Sequence, residues 1–249
     1  MKTPLMLDTK RMAIHDGPGV RTTFFVKGCL LKCLWCHNPE SLSPAPQLAR
    51  FKHKCKHCAK CTMNETICPG GALKLYGKPA TIPELVAKAL EDKQFYEATG
   101  GGVTLSGGEP LLFWEWAAEF FAALKAVGLS TALDTSLYAP PAAIERLLPL
   151  TDVWLPDFKA FDSGLHQRLC RVRNGPIKQN LEYLVSKKVK LEVRIPVVPG
   201  CNNAPDEMRR IDGYLASLGI KNIVKLEYHD YARSKYEALG MQDSMPPLR

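Results

Sequence analysis

No apolar run in this sequence approaches the roughly 20 residues that a membrane-spanning helix needs, and Met1 to Asp16 lacks the apolar stretch of a secretory leader. Both absences point to a cytoplasmic chain with no membrane partner. No internal repeat, low-complexity tract or coiled-coil heptad is present, so solenoid and fibrous architectures are excluded. The apolar fraction of 46% and charged fraction of 23% are ordinary, and 249 residues suit one α/β barrel-like body with a small insertion.

Cysteine is distributed unevenly: of nine, seven fall between Cys29 and Cys68. In a reducing compartment that crowding reads as metal ligation rather than a disulfide framework. The formal charge of +8 would steer the chain toward nucleic acid, an acidic protein or an anionic cofactor. The basic residues are nevertheless scattered, in short clusters such as Lys52, Lys54 and Lys56 or Lys187, Lys188 and Lys190, and a solvated surface accounts for them without a nucleic-acid partner.

From Arg21 onward, short apolar runs alternate with helical periodicity, the pattern of βα units and a parallel sheet. The predicted strands are Thr22–Val26, Gly102–Leu105, Ser130–Asp134, Asp152–Pro156, Lys190–Val197 and Asn222–Glu227. Helices are expected near Ile82–Glu97, Phe113–Val127, Pro141–Leu148, Ile177–Lys187 and Pro205–Leu218. Thr81 and Glu84 form a capping box before the first, and Gly128 and Gly219 close the second and fifth. Six units are two short of a complete barrel, so a partial, laterally open (β/α)6 TIM-like barrel is expected, with its chemistry at the carboxyl ends of the strands. Residues 41–79, rich in Pro, Lys, His and Cys, break the rhythm and read as a Cys-rich insertion held by metal. Residues 1–40 then carry the first strand and a cysteine loop, and 80–249 the rest of the barrel.

That loop is Gly28-Cys29-Leu30-Leu31-Lys32-Cys33-Leu34-Trp35-Cys36-His37-Asn38, with cysteines spaced C-x3-C-x2-C. Three thiolates leave one iron of a four-iron cluster without a protein ligand, where a small molecule can bind; a purely structural cluster takes four. A zinc site completed by His37 is the alternative, although neighbouring residues rarely ligate one metal with good geometry. In the insertion, Cys55, Cys58, Cys61 and Cys68-Pro69 approach a bacterial ferredoxin pattern without its second set. One auxiliary [4Fe-4S] cluster on all four thiolates, a structural zinc and a remnant site are all open readings. Cys170 and Cys201 stand apart as packed thiols.

The C-x3-C-x2-C loop after a first strand resembles the signature of the radical S-adenosylmethionine superfamily. The run from Asp16-Gly17-Pro18-Gly19 to Thr23, the Trp35-Cys36-His37-Asn38-Pro39-Glu40 stretch and Gly100-Gly101-Gly102-Val103-Thr104-Leu105-Ser106-Gly107-Gly108-Glu109-Pro110 resemble its glycyl-radical enzyme activating branch, typified by pyruvate formate-lyase activating enzyme. The resemblance implies a [4Fe-4S] cluster on Cys29, Cys33 and Cys36 and S-adenosylmethionine bound near Trp35, His37, Gly107, Gly108, Glu109, Asp134, Asp157, Phe158, Lys159, Arg194 and His229. It implies a monovalent cation near Asp134, Thr135 and Asp157. It also implies a glycyl-radical enzyme whose loop passes Asp16 and Gly17, a flavodoxin or ferredoxin electron donor, and a monomeric activase. A radical enzyme acting on a small molecule or peptide is the alternative. The sequence departs from the branch in its half-sized cysteine insertion, in Leu226-Glu227-Tyr228-His229 for Leu-Pro-Tyr-His, in Arg171-Val172-Arg173-Asn174, and in reaching Pro246-Pro247-Leu248-Arg249 before another long helix.

Overall fold

The computed structural model describes residues 2–245, so Pro246 to Arg249 lie outside the described residues. The strands are β1 (Leu5–Ala13), β2 (Arg21–Lys27), β3 (Gln47–Arg50), β4 (Leu73–Tyr76), β5 (Gly102–Gly107), β6 (Thr131–Thr135), β7 (Val153–Pro156), β8 (Val193–Val197) and β9 (Ile223–Glu227). The helices are α1 (Ile82–Leu90), α2 (Lys93–Thr99), α3 (Trp114–Ala126), α4 (Pro141–Leu147), α5 (Ser163–Cys170), α6 (Gly175–Ser186), α7 (Pro205–Ser217) and α8 (Arg233–Ala238).

All six predicted strands are present. β2, β5, β6 and β7 run parallel and are almost wholly buried, as strands covered on both faces are. The sheet order is β1-β2-β5-β6-β7, and a separate parallel pair β8-β9 joins it through the bridges Trp154 to Leu191 and Asp157 to Arg194. Among the described residues β9 does not pair back to β1 or β2, so the barrel is partial.

The loop after β1 spans the interior instead. Arg194 on β8 donates to the His15 carbonyl at 2.7 Å. Thr23 on β2 donates to the Asp16 carboxylate at 2.8 Å, and Thr104 on β5 donates to the Asp16 carbonyl at 2.6 Å. Three inward donors, Thr23, Thr104 and Arg194, thus tie the paired strands β2 and β5 to β8, with which neither shares a ladder.

Three sequence expectations are corrected. β1 is an additional antiparallel edge strand on β2. The predicted helix over 82–97 is two helices, because Asp92 is buried between Arg11 (2.9 Å) and Thr22 (2.7 Å) and its turn breaks the axis. α5 and α8 were not anticipated. The capping box holds: Thr81 Oγ1 accepts from Glu84 N at 3.4 Å, and the Glu84 carboxylate accepts from Thr81 N at 2.8 Å. Gly128 and Gly219 close α3 and α7 with φ of +77° and +71°.

The core lies between the sheet and its helices. Along α3, Trp116, Phe120 and Leu124 recur every fourth residue and are buried with Ala117 and Phe121. Phe120 meets Phe24 of β2 edge-on at 5.7 Å. Each such side chain contributes on the order of 2–3 kcal/mol by burial. Residues 41–79 contain the antiparallel pair β3-β4 and single turns of 3-10 helix, with much of the segment exposed. No helix among the described residues is long and apolar enough to cross a membrane.

Candidate functional site

At the carboxyl ends of the strands lies a cavity of about 280 Å³, lined by Cys29, Cys33 and Cys36 together with residues that follow β5, β6, β7 and β8. Two glycines shape its wall. A Cβ on Gly108 would lie 2.1 Å from the Gly28 carbonyl oxygen, and one on Gly107, at φ +123°, would lie 2.3 Å from Val26 backbone atoms. The Ser106–Glu109 turn therefore rests directly on the backbone that leads into Cys29. Two hydrogen bonds fix the contact, Gly108 N to Val26 O at 2.9 Å and Glu109 N to Gly28 O at 2.8 Å.

The Glu109 carboxylate is buried and accepts from Leu111 N (3.0 Å), Thr135 Oγ1 (2.6 Å), Ser136 N (2.8 Å) and Ser136 Oγ. Four donors fill the acceptor sites of a carboxylate. Glu109 thus pins the β5 turn to the end of β6 rather than presenting a free anion.

The opposite wall is ionic. Lys159 Nζ lies 2.6 Å from Asp157 Oδ2, and Arg194 Nη1 lies 3.7 Å from Asp134 Oδ1. Ser106 Oγ donates to Asp134 at 2.6 Å. Burial, with Asp157 and Asp16 nearby, pushes the Asp134 carboxyl up to about 6 against the pull of Arg194 and Ser106. For Lys159 burial opposes the charge, yet Asp157 and the neighbouring thiols Cys33 and Cys170 hold its ammonium above the ordinary range.

The cysteine loop is anchored at both ends. Lys32 N and Leu34 N donate to the carbonyls of Cys170 and Leu169 at the end of α5, at 3.1 and 3.0 Å. Beyond Cys36, Lys235 of α8 donates to the carbonyl of His37 (2.7 Å), the Asn38 side chain (3.0 Å) and Glu40 (2.7 Å). Lys27 donates to the Glu40 carbonyl and to Gln47 at 2.7 Å; burial brings its ammonium down to about 8 although Glu40 opposes this. His37 stacks on His229 at 4.1 Å, and Tyr231 lies tilted against His229 at 4.3 Å.

The thiols fit a cationic cluster. Burial pushes Cys36 up to about 12 and Cys29 higher still. Cys33 is held below the ordinary range by the thiol of Cys170 and the charge of Lys159, despite burial. Thiolates on this half-buried wall would need positive charge beside them, which the iron of a cluster would supply. Among the described residues no three His, Cys, Asp or Glu side chains converge closely enough to share a single ion.

Of the residues expected from the sequence, Trp35, His37, Gly107, Gly108, Glu109, Asp134, Asp157, Lys159 and Arg194 line this cavity. Phe158 is not among them: its side chain is buried in the core, stacked on Tyr214 of α7 at 5.3 Å. His229 stands behind His37 rather than on the wall, and Asp16 and Gly17 lie in the interior loop. Sequence reasoning missed Ser136, which the strand-end rule would have found one residue beyond Thr135, and Cys170 and Lys235, which carry no local signal.

A second cavity, of about 270 Å³, is lined by Cys55, Cys58, Cys61 and Cys68. Cys68 Sγ accepts from Ala72 N at 3.4 Å, and Cys55 Sγ from Arg50 at 3.2 Å. These donors, Ala72 N foremost for Cys68 and Arg50 for Cys55, hold both thiols below the ordinary range.

Comparison with known proteins agrees with this geometry. A profile for the radical SAM superfamily matches residues 23–210. The (2S)-3-sulfopropanediol dehydratase activating enzyme of Klebsiella oxytoca is 36% identical, over 98% of this chain and 88% of the relative. The pyruvate formate-lyase 2-activating enzyme of Escherichia coli is also 36% identical, over 96% and 82%. The choline trimethylamine-lyase activating enzyme of Oleidesulfovibrio alaskensis is 35% identical, over 96% and 87%. Among solved structures, Streptococcus suis SuiB bound to precursor peptide SuiA superposes with a TM-score of 0.55 at 16% identity, covering 81% of this chain and 37% of that one, a likeness of fold alone.

Proposed function

The chain belongs to the radical SAM superfamily, in its branch that activates glycyl-radical enzymes, and on that footing we propose that Cys29, Cys33 and Cys36 hold its [4Fe-4S] cluster beside an S-adenosylmethionine site in the 280 Å³ cavity. The observation that carries this reading is the opening of three thiols and a paired set of acids and bases into one space at the strand ends. When bound, the cluster and S-adenosylmethionine supply the reducing electron and the 5′-deoxyadenosyl radical that removes hydrogen from a partner's glycine.

The protein's own residues orient and exclude. With Glu109 saturated by four donors, main-chain carbonyls of the Gly107-Gly108 turn would receive the amino group of S-adenosylmethionine. Lys159 and Arg194 meet its carboxylate, and a monovalent cation would share Asp134 and Asp157 with them. His37, backed by His229 and Tyr231, offers a flat face to the adenine. Asp16 and Gly17 contact the partner's glycine loop from the interior side. Cys55, Cys58, Cys61 and Cys68 close around a second cluster, supported by their shared cavity and the N–H donors on Cys55 and Cys68. Electrons arrive from a flavodoxin or ferredoxin.

Anaerobic reconstitution tests the reading. Iron and sulfide are expected at the stoichiometry of the clusters, with reductant-dependent formation of 5′-deoxyadenosine that Cys33→Ala abolishes and Cys58→Ala spares. Zinc without iron, or cleavage that survives Cys33→Ala, would refute it.

A further inference from the structure

Charge and cysteine coincide on the insertion. Residues 41–79 carry Arg50 and six lysines against a single carboxylate, Glu65, so six of the chain's eight net positive charges sit in less than a sixth of its length. Three of these lysines are matched: Lys52 by Glu237 (3.3 Å), Lys74 by Asp8 (3.0 Å) and Lys78 by Glu65 (3.0 Å). Lys54, Lys56 and Lys60 are exposed and have no carboxylate partner among the described residues. Lys56 and Lys60 line the same cavity as the four cysteines. Two apolar side chains are exposed at that cavity, Met63 at 47% and Ile67 at 61%. An apolar centre within a charged rim is the anatomy of a protein interface.

We propose that this face is the docking site of the electron carrier, a small protein that displays carboxylates around its own redox group; the inference rests on reading the chain as a reductively driven radical enzyme. A duplex nucleic acid would meet the same charge but would gain nothing from four cysteines at its centre. Unmatched like charges that rim one cavity focus their field there and speed the encounter with an opposite patch.

The test uses the cluster-loaded full chain and a purified acidic flavodoxin as probe, with association measured by surface plasmon resonance. Reversing Lys54, Lys56 and Lys60 to Glu should slow association about tenfold at about 25 mM salt and less than about twofold at about 300 mM, where screening shortens the reach of charge. An equal reversal of Lys187, Lys188 and Lys190 on another face should change it by less than about twofold. Replacement of the same insertion lysines by Gln should give an intermediate slowing and guards against misfolding in the reversed variant. Equal slowing by both triple reversals, or by neither, overturns the proposal. So does a reversed insertion that loses duplex DNA while keeping the flavodoxin. Dithionite-driven cleavage of S-adenosylmethionine by the unaltered chain separates the two claims: its absence sinks the radical reading, while its presence alongside unaltered association sinks only the docking site.

Discussion

Gly108→Ala should loosen the whole cysteine site, by an amount the geometry sets. The new Cβ would stand 2.1 Å from the Gly28 carbonyl oxygen and 2.7 Å from its carbon, both rigid backbone atoms. Relief requires the turn and the strand end to part by about 1 Å, which breaks the hydrogen bonds Glu109 N to Gly28 O and Gly108 N to Val26 O. Two lost bonds at about 1 kcal/mol each and overpacking of about 1–3 kcal/mol give about 3–5 kcal/mol in all. At about 2–4 °C per kcal/mol for a chain of this size, the melting temperature should fall by about 10 °C. Gly128→Ala is the matched control: its φ is +77° but nothing lies within 4 Å, so only the left-handed backbone cost of about 1 kcal/mol applies. Thermal unfolding of both variants, with iron counted after anaerobic reconstitution, checks the reasoning. If Gly108→Ala melts within about 2 °C of the parent and keeps its iron, or if Gly128→Ala costs as much, close backbone approach is not what that glycine is for.

Two further outcomes follow from the cavity walls. Asp134 titrates near 6 in the folded chain against about 3.9 unfolded, so between those values the native state holds more protons and stability falls as pH rises, by roughly 2 kcal/mol. Urea midpoints of the cluster-free protein from pH 4 to 7 should show this fall, and Asp134→Asn should flatten it. Lys235→Met removes three donors from the loop beyond Cys36 and leaves Glu40, only 4% exposed, without its cation. The partly exposed lysine tempers that loss to about 2 kcal/mol, and iron should leave the reconstituted variant faster under a chelator than it leaves Lys235→Arg.

The parallel strands were legible because each is an apolar run followed by polar residues, and the strand-end rule then gathered Cys29, Ser106, Asp134, Asp157 and Arg194 at one site. β1 was hidden because an antiparallel edge strand keeps one face wet, and Leu5–Ala13 carries only partial alternation. The break between α1 and α2 was hidden because Asp92 is held by Arg11 and Thr22, which are distant in sequence. The direction of the Phe158 side chain was hidden for a related reason: it follows Asp157 at a strand end, but packs toward Tyr214 and the core. The concentration of charge on residues 41–79 was countable from the start. Its meaning depended on seeing which lysines find carboxylates elsewhere.

The clamp on the cysteine loop also imposes an order of events. Cys36 leaves the ribosome about 200 residues ahead of Lys235, an interval of roughly 10–40 s at ordinary synthesis rates. The α5 backbone that receives Lys32 and Leu34 is likewise made more than a hundred residues later. Throughout that interval the three thiols belong to an unanchored stretch of nascent chain, open to oxidation and to stray metal ions. In this arrangement the loop that carries Cys29, Cys33 and Cys36 is complete only once α8 has been made, about 200 residues after the loop it clamps.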